Sequence, residues 1–355
     1  MDVELSNEFI ERDWEKAVKG GPVRFAVIGL GWFGPDVAIP AIEESKHCET
    51  TAVVSGDREK AERVADESGV DHALTYGDYA DGEAVDAYDA VYVVTPNALH
   101  LPHVETAAEF GKDVLCEKPL EATVERAERC VRVCEEAGVE LMTAYRMHTA
   151  RSVRYVRNLV QDGVIGDPVH TRGAFSYNLV SAGEEMDQWR LNPDLAGGGP
   201  LMDLGVYPLN TSRFILNADP TAVQATTVEG PPEFNGLEEY CAFTIEFPDG
   251  PVAHCDTGYR VAGDNYFEVS GTHGRIRIDQ PFAVDGDRRI TVRAGDEETV
   301  VDVKEPSEMV EEFDYFATGV LTDMEIGPDG EHGFIDVRAM MSIYESGDTG
   351  RRVEL

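Results

Sequence analysis

The stretch Arg24-Phe-Ala-Val-Ile-Gly-Leu-Gly-Trp-Phe-Gly34 sends a short apolar run into three glycines, Gly29, Gly31 and Gly34, at the head of an amphipathic segment. A tight strand-to-helix turn that holds a dinucleotide uses glycines at this spacing, each for its own reason. Gly29 permits the turn out of the strand, Gly31 lets the backbone approach a pyrophosphate, and Gly34 lets the helix lie close to the sheet. The helix N-terminus adds unpaired N–H groups and the positive end of its dipole. Trp32 and Phe33 lie inside the same turn and join the cofactor-binding candidates. A second strand, Thr50 to Val54, falls where a βαβ unit requires it, so a turn without a ligand is the weaker reading.

The alternation continues through apolar runs at Ala90 to Val94, Asp113 to Cys116 and Glu140 to Thr143. Helical patterns lie between the runs at Arg58 to Glu67, Leu101 to Phe110 and Val124 to Ala137. That order defines a parallel, doubly wound Rossmann sheet over residues 21–145, after an extension of residues 1–20 in which Asn7 to Val18 reads as an amphipathic helix. Beyond Arg146 the rhythm changes. A helix from Ala150 to Asp162 leads into β-rich segments at Val169 to Ser176, Ala222 to Val228, Tyr240 to Phe247, Pro251 to Thr257, Tyr266 to Ser270 and Arg275 to Asp279. Turns such as Pro248-Asp249-Gly250 make them antiparallel in character. Helical patterns return at Pro200 to Leu216, Ser307 to Leu321 and Ile335 to Glu345. The expected fold class is α/β, with residues 146–355 forming an α+β domain around a large open, mostly antiparallel sheet covered by helices on one face. If its other face is apolar, a second subunit covers it, and a homo-oligomer is the expectation.

A formal charge of −38, from 68 acidic and 30 basic residues, excludes nucleic acid and anionic membrane as partners, since both repel such a surface. The acids are spread along the whole chain and only seven of the basic residues are lysines. This suits a protein bathed in concentrated salt, which shortens the Debye length to about 3 Å at 1 M. No run of eighteen apolar residues occurs and the first twenty residues are polar, so neither a membrane span nor a secretory signal is expected, and the location is expected to be cytoplasmic. The six cysteines form no CxxC pair, and His100 with His103 has no acidic or thiol cluster beside it; no metal is expected.

A site for NAD ends its second strand with a carboxylate that holds the ribose diol, whereas a 2′-phosphate needs donors there. This strand ends at Ser55, followed by Gly56, Arg58 and Lys60, which offer a hydroxyl, a free backbone and cations. NADP is the expected cofactor, and Asp57 leaves NAD open.

Three further segments follow strands of the doubly wound half: Thr95-Pro96-Asn97-Ala-Leu-His100, Cys116-Glu117-Lys118-Pro119 and Ala144-Tyr-Arg146-Met-His148. Ligands sit at such carboxyl ends. Pro119 restrains Lys118, through a cis bond if one is present, and so fixes where its ammonium points. In the second half, Gly197-Gly-Gly199-Pro200-Leu-Met-Asp203-Leu-Gly-Val-Tyr207 places a carboxylate and a phenol four residues apart on one helical face, with Pro208 expected to kink the helix at the tyrosine.

Together the glycine turn, Thr95-Pro96-Asn97-x-x-His100, Glu117-Lys118-Pro119, Trp189-Arg190 and the glycine run leading to Asp203 and Tyr207 resemble the glucose–fructose oxidoreductase, inositol dehydrogenase and rhizopine catabolism family, over nearly the whole chain from Arg24. Many relatives carry His where this chain has Tyr207, so it is similar to the tyrosine branch, which takes in dihydrodiol dehydrogenases and D-xylose 1-dehydrogenases. The resemblance implies NADP-dependent oxidation of a cyclic aldose, D-xylose foremost, at C1 to the lactone. It makes Lys118 and Tyr207 the catalytic pair, with Asp203 orienting sugar hydroxyls or the lysine. A free phenol has a pKa of about 10, so Tyr207 as base needs the Lys118 cation nearby; Lys118 as the direct base stays open. His148 and Asn178 are candidate substrate contacts, and Arg146, Trp189 and Arg190 candidates for the cofactor and pocket wall. A dihydrodiol dehydrogenase, another sugar oxidoreductase and a non-catalytic NADP-sensing regulator are the competing readings.

Overall fold

In the computed structural model, residues 20–179, 186–263, 265–284, 286–322 and 324–355 are described. The amphipathic helix expected at Asn7 to Val18, and part of the loop from Tyr177 to Arg190, lie outside them.

Six strands form the first sheet: β1 Val23–Ile28, β2 Cys48–Ser55, β3 His72–Thr75, β4 Ala90–Val93, β5 Asp113–Glu117 and β6 Leu141–Ala144. All are parallel, in the order β3-β2-β1-β4-β5-β6. Parallel strands are covered on both faces, which is why β4 is buried at every position and reads as an unbroken apolar run. The helices between them are α1 Ile39–Glu44, α2 Arg58–Ser68, α3 Tyr76–Ala80, α4 His100–Glu109 and α5 Val124–Ala137. Local chemistry sets their ends: the Thr123 hydroxyl caps α5, and Gly138 closes it at φ 68°, a left-handed conformation cheap only for glycine. The four-residue β3, which pairs with β2 from Ala52↔His72 onward, is too short to have an apolar period of its own and was not expected from sequence.

The rest of the chain carries α6 Arg151–Gln161, β7 Pro168–Ser176, α7 Pro193–Ala196, α8 Val206–Leu216, β8 Ala222–Glu229, β9 Glu238–Glu246, β10 Val252–Gly258, β11 Asn265–Gly271, β12 Gly274–Asp279, β13 Arg288–Ala294, β14 Glu297–Val303, α9 Glu308–Leu321, α10 Gly330–Thr349 and β15 Val353–Glu354. Nine of these strands form one sheet, ordered β14-β13-β12-β11-β7-β10-β9-β8-β15 and antiparallel except for the β7–β10 pair. Along α6 the buried residues Val153, Val156, Leu159 and Val160 recur at helical spacing, and they share a core with Phe267, Ile276 and Ile290 of the sheet.

By internal contacts the described chain divides into a unit of residues 20–146 with 307–334 and a unit of residues 147–306 with 335–355. The segment carrying α9, which the sequence reading placed with the second half, belongs to the first. The reason is aromatic: Phe313 and Phe316 of α9 stand 5.5 and 5.7 Å from Phe25 of β1, and Phe313 stands 5.1 Å from Tyr92 of β4. Burying each such ring contributes about 1.5–3 kcal/mol.

The character of the outward face of the nine-stranded sheet was left open by the sequence. Alternation buries Cys241, Phe243 and Ile245 of β9, while Tyr240, Ala242 and Thr244 turn outward beside Arg172, His254, Asp256 and Tyr266 around a shallow depression of about 430 Å³. That face is polar and aromatic rather than apolar.

Pro208 also acts one turn earlier than expected. Residues Leu201–Gly205 form a wide π-helical turn before α8 begins at Val206, because a proline at 208 supplies no N–H to the Leu204 carbonyl and its ring presses against that position.

Candidate active site

At the carboxyl end of β1 the three glycines divide their work as their spacing demands. Gly29 takes φ 107°, and a Cβ there would stand 2.8 Å from the Val94 carbonyl; a Cβ on Gly34 would stand 2.5 Å from the Gly29 carbonyl oxygen. Around a Cβ on Gly31 no atom of the described residues lies within 4 Å. Two glycines are therefore needed by the protein itself, and the middle one borders open space of the kind a pyrophosphate takes up, so the turn fits a dinucleotide. Trp32, 59% exposed, stands edge-on to Phe33 at the rim.

At the end of β2 the Ser55 hydroxyl accepts from the Asp57 amide at 3.2 Å, and the Asp57 carboxylate turns onto the Lys60 amide at 3.2 Å, capping α2. The group that left NAD open is thus engaged with its own helix. Gly56 is overlaid by the ring of Tyr76, 3.2 Å from where a Cβ would be. Arg58 pairs with Asp78 and donates to the Ala73 carbonyl at 3.2 Å.

After β4, Pro96 leads into a 3₁₀ turn at Asn97–Leu99, and His100 is fully buried with Nε2 2.9 Å from the Thr95 carbonyl and Nδ1 3.1 Å from the Leu120 carbonyl. It ties the loop after β4 to the loop after β5. In that second loop the Lys118–Pro119 bond is cis. Glu117 accepts from the Tyr92 hydroxyl at 2.5 Å and from the Lys118 amide at 3.2 Å, which fixes the backbone from which the lysine departs. Arg146, a candidate for cofactor contact, is instead buried in an ion pair with Glu308 of α9.

In the other unit Asp203 lies on the wide turn. It accepts from the Tyr259 hydroxyl at 2.9 Å and pairs with Arg190 at 3.3 Å. The Arg190 guanidinium lies 4.7 Å from the centre of the Trp189 ring, so Trp189, Arg190 and Asp203 are brought together as one cluster. The ring of Tyr207 is wedged between Phe175 and Phe282, at 5.3 and 5.7 Å. Asn178 forms a backbone bridge to Arg260 at the end of β7. His148 is drawn into a different network: it stacks on Phe214 at 4.0 Å, and its Nε2 lies 3.0 Å from Asn210, whose amide donates to the buried Asp336 at 2.8 Å.

Sequence reasoning missed three supporting residues. Tyr259 is fully buried and burial, then the Asp203 carboxylate, holds its phenol well above the usual range. Glu238 accepts from the Gly199 and Leu201 amides and from the Tyr344 hydroxyl, and so organises the glycine run ahead of Asp203. Glu312 is treated below. Tyr259 and Glu238 lie far along the chain from the groups they hold, and Glu312 sits within an ordinary helix pattern. A buried acid beside a glycine-rich turn is the one cue that sequence offers.

In the first unit, a glycine turn whose middle position borders open space and a lysine that directly follows a parallel strand fit the class of oxidoreductases that work with a nicotinamide dinucleotide. Residues 23–145 match the family described as "Oxidoreductase family, NAD-binding Rossmann fold", and residues 153–277 match the "GFO/IDH/MocA C-terminal domain". The chain belongs to the GFO/IDH/MocA family of oxidoreductases. It is 46% identical to a D-xylose 1-dehydrogenase [NADP(+)] of Haloarcula marismortui over 99% of this chain and 98% of that protein. It is 34% identical to a D-xylose 1-dehydrogenase (NADP(+)) 2 of Haloferax volcanii, covering 93% of this chain and 99% of that one. Among solved structures, an aldose-aldose oxidoreductase from Caulobacter crescentus complexed with glycerol matches with a TM-score of 0.88 and 31% identity, over 94% of this chain and all of that one.

Proposed function

We propose that this chain oxidises a cyclic aldose, D-xylose foremost, at C1 to the lactone with NADP. The 46% identity with a D-xylose 1-dehydrogenase over 99% of the chain carries the reading. The choice of NADP is supported by the end of β2, where the Asp57 carboxylate is occupied with α2 and Ser55, Gly56 and Lys60 offer donors. The Arg58 side chain, 46% exposed although paired, joins them by exchanging Asp78 for a 2′-phosphate.

Bound NADP supplies the hydride acceptor, at C4 of its nicotinamide. The residues of the chain do the rest. Tyr207 takes the proton of the C1 hydroxyl; Lys118 favours the phenolate by its charge and donates to the same hydroxyl; Asp203, held by Tyr259 and Arg190, orients a neighbouring hydroxyl of the sugar. Absorbance at about 340 nm, followed in molar salt with pentoses, hexoses and aromatic diols and with both cofactors, tests the reading. Fastest reduction is expected with D-xylose and NADP, and reduction with diols alone overturns it. Lys118→Ala and Tyr207→Phe are each expected to lower turnover by about 10²–10⁴-fold with cofactor affinity largely kept. Near-normal turnover in either removes that residue from the mechanism.

The six free, buried cysteines support a reducing, cytoplasmic setting, and among the described residues no helix is long and apolar enough to cross a membrane. A homo-oligomer through the outward face of the nine-stranded sheet is supported by its half-buried tyrosines, Tyr240 and Tyr266, and by charges of both signs, Arg172 and Asp256.

A further inference from the structure

The reading above leaves unused a buried charge cluster beneath the Glu117–Lys118 loop. Glu312 of α9 is 1% exposed, and both of its carboxyl oxygens are buried without a hydrogen-bond partner among the described residues. The groups that face it are Glu308 one helical turn back, Glu117 of β5 with its partner Tyr92 of β4, and Arg146 after β6. Arg146 is paired with Glu308. Glu117 is already an acceptor of the Tyr92 hydroxyl and the Lys118 amide. Arg146 offsets one carboxylate of the cluster, Glu117 is half-buried and held by its two donors, and ionising the fully buried Glu312 adds a charge to which none of the described residues donates. Burial first, then Glu117, pushes the Glu312 carboxyl well above the usual carboxylate range, with Arg146 alone pulling the other way among its charged neighbours. A carboxyl buried with no donor to either oxygen is more stable protonated, and we take Glu312 of the free protein as the neutral acid.

Glu117 stands at the carboxyl end of a central parallel strand, the edge where a doubly wound sheet binds its dinucleotide. The oxidised nicotinamide bears a positive charge and the reduced ring bears none. We propose that Glu312 is a proton-holding residue for this reaction: it gives up its proton when NADP⁺ binds and takes one back when the ring has been reduced. This rests on the NADP reading above. The protons balance over a turnover. One leaves Glu312 on binding, one leaves the sugar hydroxyl, and one returns to Glu312, so the net is the single proton that oxidation of an aldose to its lactone liberates. With NADP⁺ bound, the Glu312 carboxylate adds to the field that holds the ring oxidised before hydride transfer, and its protonation afterwards removes that field from the neutral ring.

Calorimetric titration of the protein in two buffers of different ionisation enthalpy, with NADP⁺ and with NADPH, reads the protons directly. Net proton release is expected with NADP⁺ and not with NADPH, and Glu312→Gln is expected to abolish it. Undiminished release in Glu312→Gln assigns the proton to another group and overturns the proposal, as does equal release with both cofactors. Should the variant fail to fold, the unaltered protein carries the same test. Both cofactors share the 2′-phosphate, so its own titration cancels in the ratio of their affinities. That ratio is expected to shift toward NADP⁺ as pH rises, by up to about tenfold per unit. A ratio independent of pH overturns the proposal while leaving the NADP reading intact, whereas the absence of binding by either dinucleotide overturns both.

Discussion

At the scale of single residues, the carboxylate of Asp203 has two donors of different kinds: a buried phenol 2.9 Å away and a guanidinium 3.3 Å away that itself rests on Trp189. Tyr259, fully buried just after β10, is firmly anchored, and we expect it to keep Asp203 aimed. Tyr259→Phe preserves the ring contacts with Tyr177 and Phe234 and removes only the donor. A hydrogen bond to a charged group contributes about 1.5–3 kcal/mol, so kcat/KM for the sugar is expected to fall about tenfold to a hundredfold with NADP affinity kept. Unchanged kcat/KM would show that the Tyr259 hydroxyl is not what holds the carboxylate. Asp203, Tyr207 and Lys118 were legible in the sequence because a glycine run, a proline and a rare lysine mark them. Tyr259, Glu238 and Glu312 were not, because each is an inward-facing position whose surroundings come from distant parts of the chain, which no local spacing records. For the same reason the sequence did not show that Glu308 and Asn210, far along the chain, hold the pocket candidates Arg146 and His148.

At the scale of elements, the strand-to-helix turn after β1 separates a folding requirement from a binding one. Gly34→Ala drives a methyl against the Gly29 carbonyl at 2.5 Å and is expected to destabilise the protein by about 1–3 kcal/mol, seen as a lower melting temperature. Gly31→Ala places a Cβ with no described protein atom within 4 Å and is expected to keep the melting temperature, while Gly31→Val, bulkier in the same direction, is expected to weaken NADP binding at least tenfold in a titration. A valine at Gly31 that leaves affinity unchanged would place the dinucleotide elsewhere. The first sheet was legible because its strands are buried on both faces and its helices carry caps such as Thr123 and Gly138. The hairpin of β13 and β14 was not. Its charged outward positions, Arg289, Arg293, Glu298 and Asp302, interrupt the apolar alternation that Ile290, Val292 and Val301 supply. Likewise the wide turns at Gly34–Ala38 and Leu201–Gly205 each precede a helix with a proline in its first turn, Pro40 and Pro208. The prolines were visible, but the turn they widen lies on their N-terminal side, where the lost N–H and the ring both act.

At the scale of the whole molecule, a net charge of −38 sets the conditions under which all of this operates. Self-repulsion reaches about 10 Å at 0.1 M salt and about 3 Å at 1 M, so the melting temperature is expected to rise steeply as potassium chloride is raised over that range, and a flat or falling curve would contradict the reading of the surface as built for salt. In such salt the most direct measurement follows an isotope. D-xylose carrying deuterium at C1 is oxidised with NADP⁺ and the reduced cofactor is isolated and weighed by mass spectrometry. Transfer of C1 hydride to the nicotinamide leaves one deuterium on each NADPH formed, with xylonolactone in equal amount. NADPH without the label, or no reduced cofactor at all, would contradict the assignment of this chain as an aldose dehydrogenase acting at C1.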